Sequence, residues 1–529
     1  MVAKTTRNHP DHSDVNDYAE RHRVDLCFYP ADGDAKRDYT LWQADGDYDA
    51  HTRWAWISLL AEVKTTHEQC AFEFQVKNKP KKRSQPASSS SSRKGKKAKG
   101  KGPAKTVGTE REQPQGVTST SSQDAQPSEA QLPEEGSAKP FMRSGIGAEA
   151  SLGQMADYVS KIFRRQHRTH IFSLFVFQGQ ARIIRWDRAG AIVSTVIDFE
   201  QNPSLLHKVI WRYAHMNQVQ RGFDSTAVPA TKAEINKMRN CRAPDSWIAQ
   251  RRNDALDQRG WPVYKIKMRQ ADIIDQHPLQ PIVRDIKPDD SDPGMRPDAS
   301  NTVSILIGKR YLATNSPTGH GTKCYIAYDL SRDRLVFLKD YWRPDVSSAI
   351  PEGEVLRELR TCGVENVPTP LAAGDVRDDE NAQKTYTQDY LDRDEVTQRR
   401  FAVLIHYRLV VKEICRPLEE HGNSLILVRA LSDAFEGMSF YHLSWAKATL
   451  KSFVVPAHRQ AWEKKKYTHR DISSGNILLF FYIDLDGHPQ ILGVLNDWDL
   501  CKAFEYLTKV SRPARSVSPP LSPRTIDAD

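Results

Sequence analysis

The sequence predicts an α+β protein with two folded parts separated by segments of different composition. Apolar runs on either side of a low-complexity segment predict one α/β domain, made of residues 20–76 and 145–222 and split by a disordered insert over 77–144. Short strands followed by helices then predict a two-lobed α+β domain over 300–510. The charged, proline-bearing residues 223–299 show little periodicity, which predicts a connector.

Length and composition exclude some classes of protein. A chain of 529 residues with 39% hydrophobic residues can bury more than one core. It has no run of 18 apolar residues, so we expect no membrane span, and its first residues lack the apolar core of a secretory signal. Seven scattered cysteines without a C-x-x-C pair predict reduced thiols in the cytoplasm or nucleus; they are Cys27, Cys70, Cys241, Cys324, Cys362, Cys415 and Cys501.

The net charge of +9 comes from one segment. Twelve Lys and Arg residues and no acid lie in 77–105, and the rest of the chain has a negative balance. Such a polar segment cannot bury enough surface to offset ordering entropy, so we expect disorder there, as in 1–19 and 511–529. The clusters 81–83 and 93–99 predict either nuclear-localisation or nucleic-acid contacts, or a solvated flexible insert.

The strongest motif lies near the end of the chain. A His-Arg-Asp triplet ends at Asp471, and Asn476 follows five residues later, before an apolar strand over Ile477–Ile483. In the H-R-D-x-x-x-x-N loop of phosphotransferases the Asp accepts the substrate hydroxyl proton and the Asn holds a metal ion. Asp497, after a second apolar strand, has the position of the Asp in D-F-G, which bridges Mg²⁺ to phosphates. We therefore expect Asp471 to be the base and Asn476 and Asp497 to be metal ligands.

A lysine and a glutamate are predicted upstream of this loop. Lys339 ends the apolar strand 335–340, where a V-A-I-K lysine would bind the α/β-phosphates of ATP and pair with a helical Glu. That Glu is expected in 351–359. Glu352, four residues before Leu356, is the first candidate and Glu354 the close alternative.

A glycine-bearing turn precedes Lys339. Strands are expected over 305–313 and 324–328, with the turn 315–322 between them. Gly319 and Gly321 would let the backbone approach ATP phosphates. The third glycine of G-x-G-x-x-G is absent, so a simple hairpin turn stays an alternative.

The remaining elements complete the two lobes, an amino-terminal one over 300–411 and a partial carboxy-terminal one over 412–510. A strand is expected at 401–413, a nucleotide hinge at 412–417 and a helix at 425–437. In the first domain and the connector we expect strands in 23–29, 53–64, 171–177, 181–187 and 192–197 and helices in 154–163, 204–216, 232–240 and 246–257.

Taken together, these motifs resemble the fungal-type protein kinase domain, a branch of the protein-kinase-like superfamily. The resemblance extends over about 20–510 and is carried by 469–478, 493–500, Leu338-Lys339, His406-Tyr-Arg408 and 185–190. It implies a two-lobed protein-kinase-like fold and ATP- and Mg²⁺-dependent phosphorylation of Ser or Thr in a protein substrate. It also implies the roles given above for Asp471, Asn476 and Asp497.

Two departures from that pattern carry their own expectations. Residues 438–457 interrupt a helix that would otherwise run into the catalytic loop, which predicts an insertion, such as an unspliced intron. Only 30 residues follow Asp499, so we expect a truncated carboxy-terminal lobe and weak or absent kinase activity.

Two other functions stay open. A non-catalytic pseudokinase scaffold would keep the fold and bind ATP without turnover. In the first domain, Asp25, Glu62-Val-Lys64 and Gln154-x-x-x-Tyr158 follow the order of a PD-(D/E)xK nuclease, in which acids hold Mg²⁺ and a lysine positions the attacking water. This alternative predicts a restriction-endonuclease-like fold, although Val and not Pro precedes Asp25.

Overall fold

The computed structural model describes residues 1–11, 23–41, 48–74, 141–257, 260–283, 294–391, 402–435 and 457–503. Its helices are α1 Gly33–Tyr39, α2 Ile146–Arg165, α3 Pro203–His215, α4 Lys232–Asn240, α5 Ser246–Ala255, α6 Glu352–Thr361, α7 Ser424–Phe435 and α8 Ala457–Lys465. Its strands are β1 Val2–Thr5, β2 Leu26–Tyr29, β3 Leu59–Lys64, β4 Ile171–Phe177, β5 Gln180–Asp187, β6 Gly190–Val193, β7 Ile197–Asp198, β8 Ala227–Pro229, β9 Tyr264–Arg269, β10 Thr302–Ile307, β11 Leu312–Ala313, β12 Lys323–Asp329, β13 Arg334–Pro344, β14 Pro370–Asp375, β15 Arg377–Asp378, β16 Asn381–Ala382, β17 Leu404–Val411, β18 Arg416–Pro417, β19 Tyr467–Thr468, β20 Ile477–Ile483, β21 Pro489–Leu495 and β22 Lys502–Ala503.

The first sheet has the order β1-β2-β3-β4-β5-β6, and β7 also pairs with β5. β3 and β4 are parallel, with Leu60 opposite Ser173 and Lys64 opposite Phe177, and the other pairs are antiparallel. Parallel neighbours need a crossover connection, and α2 lies in the chain between these two strands. Sequence on both sides of the basic insert therefore builds one sheet.

Helix α2 buries one face with helical periodicity. Met155, Tyr158, Val159 and Ile162 recur at intervals of three and four residues and are all buried. The Tyr158 ring lies 5.6 Å from that of Trp54. This contact packs the helix against the segment that leads into β3.

The second sheet is antiparallel, with the order β14-β17-β13-β12-β10-β9-β8 and with β11 paired to β12. β8 and β9 come from 223–299, so the predicted connector is corrected: part of it is sheet. In β9, buried Ile266 and Met268 alternate with exposed Lys267 and Arg269, which is the pattern of a half-buried strand. The charged residues on its solvent face obscured that period in the sequence.

Two predicted boundaries of disorder also differ from the structure. Val2–Thr5, placed in the disordered segment 1–19, forms β1 opposite Leu26–Tyr29. β1 is an edge strand, and its residues Lys4 and Thr5 are polar, so the sequence shows little of the apolar pattern that predicts a strand. Residues 141–144, placed in the disordered insert, belong to the described structure, and Met142 forms a β-bridge with Phe72. The predictions for 12–19, 77–140, 438–456 and 504–529 lie outside the described residues.

The carboxy-terminal elements pack around a small sheet of β18, β20 and β21. α7 lies directly against β21, because a Cβ on Gly493 would come 2.4 Å from the carbonyl oxygen of Ala430. Trp498 is fully buried in a core with Leu356, Tyr407 and Ile477. That core joins α6, β17 and β20, which come from both lobes.

These observations confirm the mixed α and β class for the described part of the chain, which has eight α-helices and several mainly antiparallel sheets. None of those helices combines the length and the apolar character that crossing a membrane requires.

A buried charge network fixes the path of the chain between the two large sheets. Arg408 is 1% exposed; its Nε donates to Asp340 Oδ2 at 3.0 Å and its Nη2 pairs with Asp224. His406 Nε2 lies 3.0 Å from the other oxygen of Asp340. Although burial opposes ionisation, His406, Lys323 and Arg408 hold the pKa of Asp340 well below its usual value. The network attaches the segment that follows the first domain, at Asp224, to the central strands β13 and β17.

His167 is buried beside this network. Its ring lies 4.9 Å from the ring of Tyr264, and its carbonyl oxygen accepts a hydrogen bond from Asp224 N at 3.0 Å. Burial, reinforced by the charge of Lys323, lowers the pKa of His167 to about 3. The imidazole is therefore neutral in the folded protein throughout the physiological range.

This shift predicts a pH dependence of stability. An unfolded histidine takes up a proton below a pKa of about 6.5, whereas folded His167 stays neutral down to about 3, so its contribution to stability is lost as pH falls below about 6.5. Between pH 7.5 and 5.5 the wild type should lose about 1.4 kcal/mol more than His167→Gln in chemical denaturation. The exposed residue His207 supplies the control, since His207→Gln should behave as wild type. Equal losses in wild type and His167→Gln would contradict the assignment.

Candidate active site

Lys339 is the centre of the site. It lies on β13, and its side chain is 7% exposed. Its Nζ is 2.8 Å from Glu352 Oε2 and 2.5 Å from Asp497 Oδ1, and it lies 4.5 Å from the ring centre of Tyr341. The structure thus brings three of the residues predicted from sequence into direct contact. This contact joins the strand β13, the helix α6 and the segment after β21.

The start of α6 places Glu352 beside this lysine. Pro351 precedes the helix, and a Cβ on Gly353 would lie 2.2 Å from the Cβ of Ala373, so only a glycine lets the helix start this close to β14. Glu352 is 1% exposed, and its Oε1 accepts the Trp498 N–H at 3.0 Å. Glu354, the alternative, has a side chain 49% exposed and pairs with Arg357. Of the two candidates, the structure therefore brings Glu352 to the lysine.

Asp497 follows β21 in a left-handed conformation, with φ 65° and ψ 63°. Aspartate tolerates this region better than most residues. The next residue, Trp498, fixes the turn: its ring is fully buried and its Nε1 donates to Leu495 O at 2.9 Å. The side chain of Asp497 is 32% exposed, so the carboxylate that contacts Lys339 also faces solvent.

The predicted catalytic loop is hydrogen-bonded to the segment that carries Asp497. His469 Nε2 lies 2.8 Å from Asn496 O, and Asn496 N donates to Asn476 O at 2.8 Å. Asn476 Nδ2 donates to Asp471 Oδ2 at 3.1 Å and to Asp471 O at 2.8 Å. Because the amide nitrogen is used in this way, the Asn476 side-chain oxygen is the atom left to serve as a metal ligand. The carboxylate of Asp471 lies on the exposed surface of the loop.

The charges around Lys339 do not balance. Glu352, Asp497 and Asp499 all act on this one ammonium group, and Glu352 and Asp497 raise its pKa although burial opposes the charge. Burial raises the pKa of Glu352 to about 7. The attraction of Lys339 opposes this shift, and the repulsion of Asp497 and Asp499 adds to it. Excess carboxylate charge with an amide oxygen nearby is the donor set that suits a hard divalent cation. Asp497 and Asn476 therefore fit the predicted magnesium ligands.

The glycine-bearing turn lies over this acidic cluster. His320 Nδ1 is 3.3 Å from Asp499 Oδ2, and His320 O accepts the Trp342 N–H at 2.8 Å. Gly319 and Gly321 have φ values of +80° and +53°, which favour glycine. The Gly319 N–H donates to the carbonyl oxygen of Arg188 at 2.8 Å. That amide is therefore used by the first domain in this conformation, and the phosphate-binding role of both glycines stays a prediction.

The predicted hinge residues connect β17 to β18. Residues 412–415 lie between these strands, and Glu413 accepts the N–H of Thr369 at 2.7 Å and the Thr369 hydroxyl at 2.7 Å. The glutamate thereby holds the start of this segment against β14.

A second cluster of predicted residues lies in the first domain. Lys64 Nζ is 2.5 Å from Glu62 Oε1 and 3.0 Å from Gln154 Oε1, and the Gln154 amide donates to the Tyr158 hydroxyl. Asp25 Oδ2 accepts the N–H of Val63 at 2.8 Å. Glu62 is 1% exposed, and within the described residues its Oε2 has no hydrogen-bond partner. Burial raises the pKa of Glu62 to about 7, with Lys64 opposing and Asp25 adding to the shift.

Sequence reasoning missed three residues that the structure connects to the site. Asp499 follows Trp498 and contacts His320, and its place in the Asp-Trp-Asp triplet was the available signal. Asp340, next to Lys339, contacts both His406 and Arg408. The His-x-Arg spacing of these two residues on one strand was the available signal for this contact. Arg188 lies in the stretch 185–190 that carries part of the resemblance, but no role was predicted for it, because its contacts in the second domain are far away in sequence.

A family model described as fungal protein kinase matches residues 142–444, which is more than half of the chain. The matched range begins at α2 in the first domain and includes Lys339 and Glu352. A comparison with curated proteins returns no match.

The geometry predicts how the site responds to losing its lysine. Lys339→Met should destabilise the protein by about 3–5 kcal/mol in chemical denaturation, because Glu352 stays buried without its cation. Replacing both, Lys339→Met with Glu352→Gln, should recover much of that loss. A double variant as unstable as the sum of the two single variants would contradict the direct pairing.

Proposed function

Because the chain belongs to the fungal protein kinase family, we propose that it is an ATP- and Mg²⁺-dependent kinase that phosphorylates Ser or Thr hydroxyl groups of a protein substrate. One observation carries the proposal: the buried Lys339 ammonium contacts Glu352 and Asp497 at once. Phosphoryl transfer depends on positioning and charge neutralisation, and this contact joins the lysine, the helix and the metal-binding segment that supply both.

Each residue has a defined part in the proposed reaction. Glu352 holds Lys339, which would orient the α/β-phosphates, and Asp497 and Asn476 would hold Mg²⁺. The metal neutralises charge on the phosphate oxygens when bound. Asp471 accepts the proton of the attacking hydroxyl, and its hydrogen bonds from Asn476 keep the carboxylate beside the metal ligands. We place this activity in the cytoplasm or nucleus, where the seven free thiols of the chain would stay reduced.

The first test separates transfer from binding. Asp471→Asn should lower phosphorylation of a generic acceptor, such as casein with Mg²⁺ and radiolabelled ATP, by at least about 100-fold, because proton transfer contributes roughly 10²–10⁴-fold. Its Mg·ATP affinity should stay within about twofold of wild type. Asp486→Asn, in the exposed turn between β20 and β21, is the matched control and should keep full activity.

The scaffold alternative gives a different result in the same assay. If wild type and Asp471→Asn both bind Mg·ATP and neither transfers phosphate, the chain is a nucleotide-binding scaffold and the kinase proposal is wrong.

We propose metal-assisted phosphodiester hydrolysis in the first domain as a second candidate function. The supporting observation is the contact of Lys64 with both Glu62 and Gln154, together with the buried Oε2 of Glu62, for which the described residues offer no hydrogen-bond partner. Asp25, held by the Val63 N–H, supplies a second carboxylate beside it. Two acids can hold a hard divalent cation, and an adjacent lysine can orient water.

A DNA-cleavage assay tests this candidate independently of the kinase site. Wild-type protein with Mg²⁺ or Mn²⁺ should nick supercoiled plasmid, and Glu62→Gln or Asp25→Asn should slow cleavage by about 100-fold or more, since loss of a ligand removes the metal. Asp471→Asn should cleave like wild type. Absence of cleavage by wild type, or equal cleavage by Glu62→Gln, would refute the candidate.

A further inference from the structure

The turn between β5 and β6 of the first domain reaches the second domain. Met1–Glu73 and Phe141–Asp529 belong to one compact unit. Within it, Asp187, the last residue of β5, and Arg188, in the turn that follows, are 1% and 3% exposed although both are charged. Charged side chains are seldom buried without specific partners. Their partners lie about 130 to 200 residues further along the chain.

Arg188 forms hydrogen bonds with the glycine-bearing turn. Its Nη1 donates to Ser316 O at 3.0 Å and to Pro317 O at 3.3 Å, and its own carbonyl oxygen accepts the Gly319 N–H at 2.8 Å. A Cβ on Gly321 would lie 2.4 Å from Arg188 Cζ. The side chain also lies over the ring of Phe163, 4.2 Å from its centre. Gly321 therefore makes room for this arginine.

Asp187 anchors the same β5–β6 turn on its other side. Its Oδ2 accepts the N–H groups of Tyr386 and Thr387 at 2.8 and 3.0 Å, and it pairs with Arg185 at 2.9 Å. A Cβ on Gly190 would come 3.2 Å from Thr387 Cγ2. Two charged side chains from one turn thus bind two separate segments of the second domain. Withdrawing the turn would leave both charges without these partners, which is costly in a buried site.

Helix α2 holds the start of the glycine-bearing turn. Arg164 Nη1 donates to Asn315 Oδ1 at 3.0 Å, and Ser160 Oγ lies 3.4 Å from the same oxygen. At the far end of the turn, His320 contacts Asp499 in the acidic cluster. Residues 315–320 are thus held by the first domain on one side and face the metal-binding segment on the other.

We propose that Arg188 is a positioning residue through which the first domain sets the conformation of the 315–321 turn and thereby the affinity for the phosphates of ATP. The inference rests on the proposed kinase function, since it assumes that nucleotide phosphates bind beside Lys339. It makes the first domain a required part of the nucleotide site. The adenosine part of the nucleotide would bind elsewhere, near the hinge, and would not depend on this contact.

The test compares ATP with adenosine. In the full chain, Arg188→Met should weaken Mg·ATP binding by roughly tenfold, the effect expected from losing charge-assisted hydrogen bonds, and leave adenosine binding unchanged, both measured by calorimetry. Arg188→Lys, which keeps a cationic donor, should recover part of the affinity. Arg182→Met is the matched control: this arginine is also buried in the first domain, but it donates to Ser194 O and Glu73 O there and should leave both affinities unchanged.

Hydrogen exchange of 314–322 supplies a second readout. Exchange of this peptide should rise in Arg188→Met and not in Arg182→Met. If wild type binds Mg·ATP and Arg188→Met binds it equally well, or loses ATP and adenosine affinity in the same proportion, the positioning role is wrong and the kinase proposal stands. If wild type binds no Mg·ATP, the kinase proposal fails and the inference fails with it.

Discussion

The contact of one buried ammonium group with two carboxylates organises the second domain. Lys339 can stay charged in a site 7% exposed only because Glu352 and Asp497 lie within 2.8 Å of its Nζ. That requirement fixes the start of α6 against β13. It also fixes the left-handed turn after β21 against these two elements. The Trp498 N–H adds a third link by donating to Glu352. The predicted catalytic loop is linked to this contact, because Asn476 O accepts the Asn496 N–H and the His469 ring contacts Asn496 O.

Charge explains why this arrangement suits a nucleotide and metal. The three acids Glu352, Asp497 and Asp499 outnumber the single lysine. Burial raises the pKa of Glu352 to about 7, and the repulsion of Asp497 and Asp499 adds to that shift. A divalent cation beside Asp497 would reduce the repulsion among the three acids. The same lysine would then have both a carboxylate partner on α6 and phosphate oxygens as ligands.

The structure brings Lys339, Glu352 and Asp497, which the sequence singled out, into contact, whereas the sequence did not predict how the two domains are connected. Local rules suffice for Asp471, Asn476 and the strand after them, because spacing and apolar runs specify these over a few residues. The sequence ranked Glu352 first and kept Glu354 as a close alternative, and the packing of Gly353 against β14 decides that Glu352 faces the lysine. β9 was missed because lysine and arginine occupy its exposed face. The partners of Arg188 are about 130 residues away, and no local rule relates such positions.

The dependence of ATP binding on the metal tests the central claim most directly. Calorimetric titration of the full chain with ATP should show binding with Mg²⁺ that weakens by at least about tenfold in EDTA, and Asp497→Asn should weaken the Mg²⁺-dependent part to a similar extent. Adenosine, which has no phosphates, should bind alike with and without Mg²⁺. Equal ATP affinity in Mg²⁺ and EDTA, or in wild type and Asp497→Asn, would contradict the assignment of the Lys339, Glu352 and Asp497 cluster as a metal-nucleotide site.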